Sequence, residues 1–141
     1  MQDRFKFKVK FEIDGQVEIF DVIDISFESQ QVFFRRQDNM VYNIGLGVKG
    51  VELIQCTGLK DDNGKLMYEG DIVKIWKFSK DLYGNDKRVI KWNNARCGFR
   101  LYTIDHYKRG IVLSPQSMVN VTTIEVIGNI FQNPELLKDG E

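Results

Sequence analysis

From Thr57 to Val73 the chain reads Thr-Gly-Leu-Lys-Asp-Asp-Asn-Gly-Lys-Leu-Met-Tyr-Glu-Gly-Asp-Ile-Val, which sets two turn signals around a short apolar run. Asn63-Gly64 tolerates the left-handed backbone that closes a tight loop, so a hairpin or sharp corner is predicted there. Gly70-Asp71 then opens onto Ile72-Val73-Lys74-Ile75-Trp76-Lys77-Phe78, rich in β-branched and aromatic residues and apolar on one parity. A Gly-Asp step ahead of such a strand is frequent in small SH3-like barrels. A chain that turns this often is committed to β structure.

The remainder reads the same way. Phe5, Phe7, Val9, Phe11 and Ile13 alternate with charged residues, a period of two with one buried face. Asp14-Gly15 supplies a hairpin turn, after which Val17, Ile19, Asp21, Ile23 and Ile25 are expected to share the buried parity, with a bulge or edge position absorbing the charge of Asp21. Short strands follow at Val32–Phe34 and Met40–Ile44, then a glycine-broken stretch and a strand over Val51–Cys56. Ser79–Lys87 is a polar loop between the strand from Ile72 and a return strand at Arg88–Trp92; Phe99–Tyr107, Ile111–Leu113 and Thr122–Ile130 continue the series. Gly128 marks a bulge, Ser114–Met118 a helical turn, and Asn133-Pro134-Glu135 a cap and first turn of a short C-terminal helix. The predicted fold is mainly β: an antiparallel hairpin or meander lobe over 1–56, then a small SH3-like barrel over 57–141 ending in a helical turn.

The 141 residues, 43% hydrophobic and 28% charged, suit a globular protein with its own core, and no apolar run reaches the ~20 residues of a membrane span. The N-terminus alternates charge and aromatic instead of forming a secretory signal, so a cytoplasmic location in a bacterial host is expected, with no membrane partner. Cys56 and Cys97 form no metal-binding pair and are expected to be free packing residues.

Twenty basic and twenty acidic residues cancel, but the signs are segregated. Lys74 to Arg109 holds ten Lys or Arg against three Asp, an excess of seven, while residues 11–28 carry six acids and no base. Aromatics interleave with the cations, making Lys74, Trp76, Lys77, Arg88, Lys91, Trp92, Arg96, Arg100, Tyr102, Lys108 and Arg109 the candidate partner-binding residues. If exposed together they suit a single-stranded nucleic acid, rings stacking on bases and cations displacing counterions. Otherwise the rings fill a core and the cations form its solvated outer face. A protein partner or a second copy is the other class, through edge strands such as Phe5–Ile13 or by apposition of basic and acidic patches.

No catalytic residue, metal site or cofactor is expected. Gly45-x-Gly47-x-x-Gly50 matches a dinucleotide loop in letters, yet no helix or βαβ unit follows it. An EF-hand with Gly64 at its sixth position would need a carboxylate where Leu59 stands. His106, the sole histidine, adjoins Asp105, but strand neighbours face opposite ways. Glu69 and Asp71 sit where carboxylates hydrogen-bond turn backbone, a structural role.

The central segment and Glu125-Val126-Ile127-Gly128-Asn129-Ile130-Phe131-Gln132-Asn133-Pro134-Glu135-Leu136-Leu137 together resemble the YopX family of phage and prophage proteins, over about Val51 to Leu137. The resemblance implies an N-terminal β portion with an SH3-type barrel, a phage or prophage origin and an intracellular accessory role. It transfers no catalytic residue, because the family has no established activity. The most fitting expectation is a non-enzymatic protein-interaction module.

Overall fold

The computed structural model describes residues 3–77, 86–104, 110–112 and 121–138. They form two antiparallel β units, Met1–Gly58 and Leu59–Glu141.

In the first unit a 3-10 turn at Asp3–Phe5 precedes β1 (Phe7–Ile13), β2 (Gln16–Ser26), β3 (Gln31–Arg35), β4 (Val41–Gly45) and β5 (Glu52–Lys60), adjacent in the order β4-β3-β2-β1-β5. Asp14 and Gly15 take φ of +51° and +79°, and Ile13 pairs with Gln16, so the predicted tight hairpin forms. Val9, Phe11, Val32 and Phe34 make the core, with Phe20, Val22 and Ile44 packed on it. Rings cross the sheet in a row: Phe11, Phe20 and Phe34 lie with centroids 5.2–5.8 Å apart, and Tyr42 continues the row at 6.2 Å from Phe34.

The parity expected for β2 is corrected. Because Ile13 faces Gln16 across the turn, odd residues of β1 oppose even residues of β2: Val9 pairs with Phe20 and Phe11 with Glu18. Phe20 and Val22 therefore pack on the core, while Val17, Ile19 and Asp21 sit on the other face. A bulge between Val22 and Asp24 then switches faces and brings Ile25 opposite Val32. The expected edge role of the first strand is corrected as well, since β1 pairs with β2 on one side and β5 on the other. One end of this order is β4.

In the second unit the end of β5 turns at Asp61–Lys65 into β6 (Leu66–Tyr68), followed by β7 (Asp71–Lys77), β8 (Asp86–Asn93), β9 (Gly98–Thr103), β10 (Gly110–Val112), β11 (Val121–Asn129) and a 3-10 turn at Pro134–Leu137. Five of these strands pair antiparallel in the order β10-β9-β8-β7-β11 around Met67, Val73, Ile75, Ile90, Leu101 and Ile124. This order is compatible with an SH3-like barrel, although the pairings among the described residues close no ring. β5 runs unbroken through the boundary expected after Cys56.

Other expectations resolve locally. β11 shifts register at Gly128, where a Cβ would lie 2.7 Å from Asn133 Oδ1 and 2.8 Å from Leu136 Cδ1. The C-terminal helix is one 3-10 turn, and Asn133 does not cap it: its Oδ1 accepts from the backbone N–H of Asn129, 3.2 Å behind. Cys56 is buried, whereas Cys97 is exposed in the β8–β9 turn rather than packed. The loop from Ser79 to Asn85, the Asp105-His106 pair and the Ser114–Met118 turn lie outside the described residues.

Candidate functional site

The two segments that carry the family resemblance meet within the second unit, and their carboxylates serve the backbone. Asp61, 6% exposed, accepts through Oδ1 from the N–H groups of Asn63 (3.0 Å) and Lys65 (2.8 Å), and through Oδ2 from Val126 (3.0 Å). Asp62 Oδ2 accepts from Ile124 N–H at 2.6 Å, and Asp71 Oδ2 from Tyr68 N–H at 2.9 Å. Gly70 has φ +88°, and a Cβ on it would stand 2.5 Å from Cε2 of Phe131. Each of these carboxylates accepts from backbone N–H groups; no metal-binding cluster occurs among the described residues. Asp61 and Asp62 clamp the β5–β6 turn to β11, a role composition alone did not indicate for Asp61.

The basic and aromatic candidates divide between two faces of the second sheet. Register places Lys74 opposite Lys87, and Lys91 opposite Arg100, on one face with Tyr102. Asn93 Nδ2 donates to the Tyr102 hydroxyl at 2.7 Å. Trp92 pairs with Phe99 on the other face, the side of Ile90 and Leu101, with the rings edge-to-face at 5.1 Å. Arg88, opposite Val73 on that same side, is 8% exposed and so leaves the accessible set. Arg96 is exposed in the β8–β9 turn. Trp76 and Lys77 are residues of β7, opposite Thr123 and Val121; Lys108 and Arg109 lie outside the described residues. What the structure unites is the end of the β8–β9 hairpin: Lys91, Trp92, Arg96 and Arg100.

A second candidate surface, unseen from the charge pattern, is the β4 end of the first unit. Met40, Val41 and Tyr42 are exposed there, Val41 at 49%. Arg36 N–H donates to Met40 O, and Leu46 N–H to Gln30 O, on the same antiparallel ladder. Alternation from those bonds turns the backbone groups of Tyr42 and Ile44 toward β3 and those of Val41 and Asn43 outward. Beside this end, the Arg36 guanidinium lies over Tyr42 (5.2 Å) and Phe20 (5.8 Å), and Glu18, Phe20, Arg36, Gln37 and Asp38 line a pocket of about 300 Å³. Tyr42 donates its hydroxyl proton to Asp38, whose carboxylate also accepts from Met40 N–H at 2.9 Å. These bonds hold the Asp38 carboxyl below the ordinary carboxylate range, the Tyr42 bond contributing most, and the same bond raises the Tyr42 phenol. The acids of residues 11–28 are spread: Glu18 faces Phe11, while Glu12 and Asp21 lie on the opposite face.

Comparison with functionally curated proteins gave no match. Among solved structures the chain is similar to protein EF1440 from Enterococcus faecalis, at 24% identity and TM-score 0.61 over 94% of this chain and 97% of that one. It is also similar to protein yopX from Bacillus subtilis, at 21% identity and TM-score 0.58 over 96% and 99%. At these identities the likeness is one of fold. No helix among the described residues is long and apolar enough to cross a membrane. A family model described as YopX protein matches residues 6–138, and by that match this chain belongs to the YopX family.

Proposed function

We propose that this chain is a non-enzymatic protein-interaction module of phage or prophage origin, acting in the cytoplasm of a bacterial host, and that its β4 edge pairs with a second copy of itself. The observation that carries the reading is that β4 ends its sheet with the sequence Val-Tyr-Asn-Ile-Gly, free of charge and proline. Natural edge strands are ordinarily blunted by lysine, proline or a cover, because outward N–H and C=O groups template another strand. An uncharged edge with exposed Val41 and outward groups at Val41 and Asn43 suits antiparallel pairing about a two-fold axis, in which one patch meets its own copy.

The test is solution mass against concentration for the parent chain and for Val41→Lys, whose exposed side chain tolerates the change within one subunit. The parent is expected to dimerise and the variant to remain monomeric, with little dependence on salt. A parent that stays monomeric, or a variant of equal mass, refutes the pairing. Dissociation driven by salt alone would point instead to apposed charge patches.

A further inference from the structure

We infer that the end of the β8–β9 hairpin binds a single-stranded nucleic acid, its phosphates held by Lys91, Arg96 and Arg100 and one base stacked on Trp92. The hairpin of β8 and β9, Asp86 to Thr103, contains five cations against the single Asp86, and its end from Lys91 to Arg100 carries three cations and no Asp or Glu, so the local field there is positive. The antiparallel register sets Lys91 directly opposite Arg100, which places two cations side by side on one face where one phosphate can meet both. Lys91 and Arg100 also have contacts of their own, so the inference rests on the summed field and not on idle side chains.

The indole is prearranged. Trp92 is 41% exposed although it stands on the core-facing side of its strand, because it lies at the hairpin's end where the core runs out. Nε1 donates to Asn94 Oδ1 at 2.7 Å, and the edge of the Phe99 pair braces the ring. Asn93 Oδ1 accepts from Arg96 N–H at 3.0 Å, which fixes the turn carrying the third cation. A strand passing over the tip meets Lys91 and Arg100 on one side and the indole on the other. Duplex bases are stacked on each other and do not reach such a ring, so single strands are preferred. The contacts offered are backbone charge and a π-face, neither of which reads sequence.

The experiment is fluorescence anisotropy of a labelled deoxythymidine oligonucleotide, and of a duplex of equal length, with the full chain at low and physiological salt. Single-strand binding is expected to weaken with salt at a log–log slope of about −2, from roughly 0.7 per phosphate and three cations. Lys91→Glu with Arg100→Glu should weaken binding on the order of tenfold and flatten the slope. Trp92→Ala should lose roughly 5- to 150-fold, the range that ~1–3 kcal/mol per stacked base converts to. Lys49→Glu with Lys65→Glu, equal in charge change but off the hairpin, should bind like the parent. If charge reversal unfolds the sheet by circular dichroism, Lys91→Gln with Arg100→Gln replaces it. Absence of binding at low salt, an unchanged affinity in a folded hairpin variant, equal loss in the off-hairpin control, or duplex preferred over single strand would each overturn the inference.

Discussion

Replacing Asp61 should damage the second unit about as much as emptying a core position, although the residue is polar and adjoins a surface turn. Its carboxylate is the shared acceptor of three backbone N–H groups, two in the β5–β6 turn and one on β11. In Asp61→Ala the N–H groups of Asn63 and Lys65, both in exposed residues, turn to water and lose about 0.5 kcal/mol each. Val126 is half-buried in a strand, so its N–H loses a charge-assisted bond worth about 2 kcal/mol without an easy substitute. The total is about 3 kcal/mol. For a unit of this size that lowers the melting temperature by roughly 12–24 °C. Tryptophan fluorescence is the suitable probe, because Trp76 and Trp92, the only two in the chain, both belong to this unit. Asp61→Asn keeps one oxygen, which can serve the turn or β11 but not both, and should lose about 2 kcal/mol. A melting temperature within about 4 °C of the parent for Asp61→Ala would show that the clamp contributes little, and the reasoning would fail.

Two further outcomes follow from the same kind of reading. Gly70→Ala should destabilise the second unit by about 2–4 kcal/mol, from a positive φ of +88° and the collision with Phe131; adding Phe131→Leu should restore only the collision's share, and full restoration in thermal melts would discount the backbone strain. The Tyr42–Asp38 bond should stabilise the first unit around neutral pH. That contribution is lost as pH falls through the lowered Asp38 value, and again as pH rises through the raised Tyr42 value. Tyr42→Phe should therefore differ from the parent in melting temperature between those limits and converge with it outside them; a difference that persists at both extremes would assign the effect to packing.

Much of the fold was legible because strands and tight turns are local. Asp14-Gly15 and the period of two in residues 7–13 need only neighbours in the chain, and the bulge at Gly128 was marked by a glycine within a β-branched run. In β2 the turn overrides the parity expected for Ile19: a two-residue turn that pairs Ile13 with Gln16 dictates that odd faces even, which makes Phe20 the core residue. The candidate site was legible in part: charge segregation pointed to the hairpin and strand alternation puts Lys91 and Trp92 on opposite faces, but neither sets Arg100 opposite Lys91 nor shows the interior place of Arg88.

The chain's own order of residues determined that it is mainly β, where most turns fall and which stretch concentrates the cations, since backbone preference and side-chain alternation act over a few residues. Only tertiary structure decided that β1 is interior and β4 an edge, because strand neighbours are chosen by long-range pairing that no local pattern encodes. It also decided what Asp61 does. A carboxylate in a turn has many local uses, and its bond to Val126, sixty-five residues away, exists only once β11 is laid beside the turn.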